Sequence, residues 1–276
     1  MKYKKIIICL ITLFVIVLGL GGYFTVSNLN LQLKKQNSTN SNKNLIKTGD
    51  LPGYSLTGSD NFFVQEINLN DYHLSLQNTS EVINREFFQP QSIDELVKAN
   101  QSEYGGNVVS FVNAGFFEDI SGIPTKLSFS SRQGFIPKFE YISSIDTYPN
   151  PNGQKILICY QNQCKIEPYK GKDDPQFKEA EFGFVSLDPE TISASKDSGL
   201  NRTFVAITSS KPNVIYIITG VAKTQGEMIE KAKSYRADNF LMLDGGPSSA
   251  LYSNYNKKAL LENRTKIPQI LKVLKN

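Results

Sequence analysis

The stretch from Arg202 to Ser249 constrains the fold more than any other part of the chain. RTFVAIT (202–208) and NVIYIIT (213–219) are β-branched and apolar, as buried strands are. TQGEMIEKAKSYRA (224–237) reads as a helix, and Thr224 with Glu227 makes a capping box. FLML (240–243) is a short, fully apolar strand that runs directly into DGGPSS (244–249). A strand, a helix and a strand of these lengths require a crossover connection.

The β rhythm continues upstream. FFVQEINL (62–69), YHLSLQ (72–77), NVVSFV (107–112), TKLSFSS (125–131), FIPKFEYI (135–142), QKILICY (154–160) and FGFVSL (182–187) all read as strands. Asn70-Asp71, Gln133-Gly134 and NPNG (150–153) punctuate them, and KDDPQFKEAE (172–181) is a charged loop. SIDELVKANQ (92–101) is helical, with Ser92 as cap and Asp94 and Glu95 at the positive helix start. The expected class is α+β: a large mixed β-sheet with a few packed helices. No internal repeat is visible.

The N-terminus has a different character. Lys2, Lys4 and Lys5 precede 21 uncharged residues, Ile6 to Val26. As a helix that run would span about 30 Å of hydrocarbon, and the lysines favour an N-in, C-out orientation. A single-pass membrane anchor over residues 1–26 is the expectation. A cleaved signal peptide is the alternative, with Ile6 to Leu18 as its apolar core and Gly19, Gly21 and Gly22 near a cut. Either way the rest of the chain is expected outside the cytoplasm. Residues 27–50 are rich in Asn, Ser, Lys and Gln and read as a tether with too little apolar surface to fold. Residues 51–276 are long enough for one cored domain.

Composition narrows the function classes. The net charge of +4 falls to +1 once the three N-terminal lysines are set aside, so a nucleic-acid platform is not expected. The chain has one histidine, His73, on a predicted strand. A Ser-His-acid triad and a multi-histidine metal centre are both disfavoured. No cofactor is expected, although carboxylates and carbonyls could hold calcium. Cys159 and Cys164 flank YQNQ in a predicted hairpin. With Gln161-Asn162 as the turn they face each other, as a disulfide in an oxidising compartment or as two half-buried thiols.

Two motifs follow buried strands: NAGFF (113–117) and LDGGPSS (243–249). A polar residue at the end of a buried strand is held rigidly yet reaches the sheet edge, where ligands bind. Gly245 and Gly246 allow positive φ and close approach, and Pro247 keeps Gly246 out of the right-handed helical region. Such a turn can present N–H groups and the hydroxyls of Ser248 and Ser249 to phosphate or sugar oxygens, with Asp244 as a fixed carboxylate. Taken alone, it also reads as an ordinary Asp-Gly turn. Arg202, opening its strand, could clamp a phosphate bidentately or simply lie at the surface.

In combination these elements resemble the phosphodiester glycosidase family. The resemblance runs from about Phe62 to Leu274 and rests on the order of NAGFF, Arg202-Thr203 and Leu243 to Ser249. It implies an α+β domain that hydrolyses the bond between a sugar's anomeric carbon and phosphate, with a carbohydrate or sugar-phosphate partner. By the same resemblance the functional positions are Asn113, Gly115, Arg202, Thr203, Asp244, Gly245, Gly246, Ser248 and Ser249. Asp244, Arg202 and Asn113 are the expected catalytic members, and the rest would bind substrate. Glu118 or Asp119 is a candidate second carboxylate. After NAGFF the chain reads EDISGIPTKLSF, where Gly122 and Pro124 stand for a longer glycine-rich stretch of the family. The rival readings are a non-catalytic, surface-anchored glycan-binding module and a structural envelope protein. N-x-S/T triplets, such as those at Asn37, Asn78, Asn201 and Asn263, are expected by chance in so Asn-rich a chain, which reads as a bacterial surface protein.

Overall fold

A computed structural model describes residues 46–47, 51–78, 81–82, 87–88, 91–104, 107–115, 129–131, 153–170, 180, 182–191, 197–262 and 266–276. The expectations for residues 1–26, for the strand at 135–142, and for Glu118, Asp119, Gly122 and Pro124 lie outside the described residues. Among the described residues no helix is long and apolar enough to cross a membrane.

The described body lies within one compact unit, Leu45–Asn276. Its strands in chain order are β1 (Ile46–Lys47), β2 (Tyr54–Ser59), β3 (Phe62–Asn68), β4 (Tyr72–Asn78), β5 (Glu81–Val82) and β6 (Phe87–Phe88). They continue with β7 (Val108–Asn113), β8 (Phe129–Ser131), β9 (Gln154–Tyr160), β10 (Gln163–Pro168), β11 (Phe182–Leu187) and β12 (Leu200–Ile207). The last are β13 (Val214–Lys223), β14 (Asn239–Met242), β15 (Leu251–Ser253), β16 (Lys258–Leu261) and β17 (Gln269–Lys275). Two helices join them, α1 (Ile93–Tyr104) and α2 (Gln225–Ser234). The class is α+β, dominated by sheet. Ile46–Lys47, inside the stretch read as a tether, pair with β2.

The strands form two main sheets rather than one mixed sheet. The first runs β1-β2-β3-β13-β12-β14-β11-β9-β10, with β8 also on β11. The second runs β16-β15-β7-β17-β4, and β5 pairs with β6 separately. Every described pairing is antiparallel. The crossover is present all the same. β13 and β14 each pair antiparallel with β12, so they run parallel to each other on its two sides, joined by α2. β3 and β4 are both strands, but Asn70-Asp71 does not make a hairpin of them. The chain corners there from the first sheet into the second.

The main core fills the space between the sheets. Leu157, Phe184, Val205, Ile217 and Leu241 of the first sheet meet Val112, Leu251, Leu271 and Val273 of the second. Each helix covers an outer face. α2 buries Met228 and Ala232, one turn apart, against Phe204, Ile218 and Phe240. It starts where the sequence indicates: Thr224 caps it, and Thr224 and Glu227 exchange side-chain and main-chain bonds. It ends at Tyr235, after which Arg236 turns left-handed (φ 59°) and Ala237 N–H returns to Ala232 O at 3.3 Å. α1 buries Ile93 and Leu96 against Val108, Phe111, Ile270 and Leu274.

The β9–β10 hairpin turns at Gln161-Asn162, Cys159 is paired with Cys164, and the two are joined as a disulfide. Its tip sits far from Arg202. Cys164 N–H donates to Pro212 O at 3.0 Å, and Asn162 Nδ2 donates to Asn70 Oδ1 at 2.5 Å.

Candidate functional site

The site lies where the two sheets are pinned together. β7, inside the second sheet, ends at Asn113, and β14, inside the first, ends just before Asp244. Asp244 N–H donates to Ala114 O at 2.9 Å. Asn113 Nδ2 donates to Asp244 O at 2.6 Å. Asn113 Oδ1 accepts from Thr203 Oγ1 at 3.2 Å and from Ala250 N–H at 3.1 Å. One side chain therefore ties together the ends of β7 and β14, strand β12, and the approach to β15.

These contacts change what Asn113 can do. It is 1% exposed and its amide is engaged on both ends by protein. It holds the site's frame rather than orienting substrate hydroxyls. Thr203 is fully buried and serves the same frame. Gly115 is buried as well, its N–H donating to Gln269 Oε1 at 3.0 Å.

Arg202 is 5% exposed, so the surface reading of this residue fails. Its neighbour Thr203 accepts Leu243 N–H at 2.8 Å, which sets Arg202 and Asp244 at corresponding places on adjacent strands. Strand alternation puts the Arg202 side chain on the face of Phe204 and Met242, and Nη1 lies 3.9 Å from Met242 Sδ. Nε donates to Lys223 O at 3.0 Å and Nη2 to Ser198 O at 3.2 Å. Main-chain carbonyls thus fix the plane of the guanidinium. Burial lowers the Arg202 pKa from its ordinary value, the sense expected when a cation loses solvent.

The DGGPSS turn differs in detail from its sequence reading. Gly246, Pro247 and Ser248 form one turn of 3-10 helix. Gly245 N–H donates to Asp244 Oδ1 at 2.7 Å. Ser248 and Ser249 N–H groups donate back to Gly245 O and Gly246 O, both at 3.3 Å. Pro247 has no N–H. Gly246 N–H is then the one main-chain donor of the turn that no described bond takes up. A tight turn spends its donors on itself, so no row of N–H groups is left to cradle an anion.

The two glycines serve different ends. A Cβ on Gly245 would lie 2.8 Å from the main-chain oxygen of Asn201, so a side chain there collides with β12. Gly246 has φ 63° with open space where its Cβ would be. Ser248 and Ser249 are buried rather than presented, and Ser249 Oγ has no hydrogen-bond partner among the described residues. Asp244, Gly245 and Gly246 are the partly exposed members of the site.

The sequence reading missed the residues that support this constellation. Gln269, Ser198 and the Lys223 carbonyl carry no motif, and main-chain acceptors leave no mark in side-chain patterns. Among the described residues no group of three or more His, Cys, Asp or Glu side chains could hold a metal ion. His73 lies on β4, where Nδ1 is 2.7 Å from Asn276 Oδ1, and takes no part in the site.

A two-sheet α+β domain whose strand ends converge on a buried arginine and a glycine-flanked aspartate is the class defined so far. Residues 106–274 match the phosphodiester glycosidase family, and the chain belongs to that family. Among curated proteins none matches the sequence. The fold is similar to the catalytic domain of zebrafish N-acetylglucosamine-1-phosphodiester alpha-N-acetylglucosaminidase, a structure auto-inhibited by its pro-peptide. That likeness has a TM-score of 0.55 at 12% identity and covers 83% of this chain and 86% of the zebrafish chain. A Synechocystis protein described as hypothetical is similar at TM-score 0.46 and 12% identity, over 82% of this chain. The chain spans 61% of that protein's length.

Proposed function

We propose that the protein hydrolyses the bond between a sugar's anomeric carbon and phosphate in a glycosyl phosphodiester, yielding a free sugar and a phosphate monoester. The observation that carries this reading is the pairing of a buried, plane-fixed Arg202 with Asp244 at the same strand ends.

Cleavage of such a bond passes through an oxocarbenium-like state. As the C–O bond breaks, its electron pair stays on the phosphate oxygen. Arg202, together with Gly246 N–H, would stabilise that departing charge. Phosphate is a weak base, so strong general-acid help is not required. Asp244 would take the proton of the attacking water or stabilise the sugar cation. Its Oδ1 accepts Gly245 N–H, which fixes the carboxylate at the turn.

The setting belongs to the same proposal. Residues 6–26 would hold the protein in the cell membrane, with the domain outside acting on surface or extracellular glycans. No cofactor is assigned. The test incubates the full-length protein with a panel of sugar-1-phosphodiesters, with and without EDTA, and follows free sugar. Release that is lost in Arg202→Ala supports the reading, and loss on chelation would add a metal such as calcium. Saturable binding without release would replace it with the glycan-binding role.

A further inference from the structure

Gln269 opens β17 and is 3% exposed. The β7–β17 ladder reaches Asn113 paired with Ile270. Gln269 extends it beyond that pair. Its main-chain oxygen accepts Ala114 N–H at 3.1 Å, and its side-chain Oε1 accepts Gly115 N–H at 3.0 Å. The second bond is a side chain standing in for a strand.

The far side of the same peptide unit faces the other sheet. Ala114 C=O and Gly115 N–H belong to one planar peptide. Its N–H is held by Gln269, and its C=O accepts Asp244 N–H at 2.9 Å. A rigid plane gripped at one edge fixes the direction of the other edge. The bonds also polarise one another, since an N–H that donates makes its own carbonyl a better acceptor.

We propose that Gln269 is a positioning residue for Asp244, acting through the Ala114–Gly115 peptide. It touches no substrate. Its side-chain amide sets the tilt of that peptide, the peptide sets the Asp244 main chain, and the carboxylate keeps its bond from Gly245 N–H. The catalytic consequence rests on the reading of Asp244 given above.

The test uses the full-length protein and Gln269→Leu, which keeps volume and loses the acceptor. Hydrogen exchange at the Gly115 and Asp244 amides is expected to rise about tenfold or more, with β12 and β13 amides unchanged. Gln269→Glu, which keeps an Oε acceptor, is expected to restore slow exchange at both. On a glycosyl phosphodiester, Gln269→Leu is expected to lower kcat by about 10- to 100-fold with KM little changed, the scale of a misplaced reacting group. In an Asp244→Asn background the same change should cost nothing further. Unchanged exchange at Asp244, or an equal loss of kcat in both backgrounds, overturns the proposal. If the wild type turns over no phosphodiester, the exchange measurement still decides the positioning claim, and only the glycosidase reading falls.

Discussion

Asn113 Nδ2 lies 2.6 Å from the main-chain oxygen of Asp244, joining two motifs that stand 131 residues apart and on different sheets. Removing that side chain strands several buried groups at once. Asn113→Ala leaves Asp244 O, Ala250 N–H and Thr203 Oγ1 without this partner, and each buried orphan costs about 1–3 kcal/mol. Urea unfolding should show the loss as a lower midpoint, and activity should fall with it. A variant as stable as wild type would mean that water replaces the amide.

The two glycines of the turn should respond differently to alanine. Gly245→Ala drives a Cβ toward the Asn201 main-chain oxygen, where β12 must shift, and turnover should collapse. Gly246→Ala meets open space and only a left-handed backbone, a penalty of about 1–2 kcal/mol. Thermal melts of the pair would rank them. Equal effects would show that the close approach to β12 does not matter.

The disulfide is predicted to stabilise without serving the site. It closes a loop with a sequence separation of 5. The chain-entropy account gives about 2 kcal/mol for so short a loop. The hairpin tip contacts Pro212, at the opposite end of β12 from Arg202. The Cys159→Ser, Cys164→Ser protein should therefore melt earlier and keep its kcat. A lost kcat at a temperature where the variant is folded would tie the hairpin to the site.

One acid-side contribution follows from the α2 cap. The Thr224 main-chain N–H, first among several causes, holds the Glu227 carboxyl below its ordinary value. A depressed folded-state pKa contributes stability that is present above the unfolded value and lost as pH falls through the folded one. Glu227 is largely exposed, so the contribution should be about 0.5 kcal/mol. Denaturation of Glu227→Gln should differ from wild type at neutral pH and converge with it in acid. A difference that persists at low pH would assign the effect to packing.

Much of this fold is legible in side-chain patterns. β7, β9, β11, β12 and β14 are apolar runs, and the capping box at Thr224 and Glu227 marks the start of α2. β2 escapes notice because YSLTGS carries few apolar residues, although Asp60 and Asn61 at φ 51° and 64° make its hairpin turn with β3. β17 is harder still, since QILKVLK has a fully buried lysine, Lys272, in its middle. Division into two sheets leaves no local trace, because a corner at Asn70-Asp71 and a hairpin there look alike in sequence. At the site, the fold brings the two motifs, NAGFF and LDGGPSS, into direct contact. They do not show that the Asn113 amide and the Thr203 hydroxyl are taken up inside the protein, because that depends on which hydrogen bonds the fold makes.

The central claim is that the anomeric C–O bond breaks and that Arg202 receives the departing phosphate charge. The most direct measurement is turnover of a sugar-1-phosphodiester in oxygen-18 water by wild type and Arg202→Lys. The account predicts label at the sugar's anomeric hydroxyl and none in the phosphate monoester. It also predicts a fall in kcat of about 10² or more for the lysine variant, which lacks the planar fork that Lys223 O and Ser198 O hold. Label in the phosphate, or undiminished turnover with lysine, would contradict it.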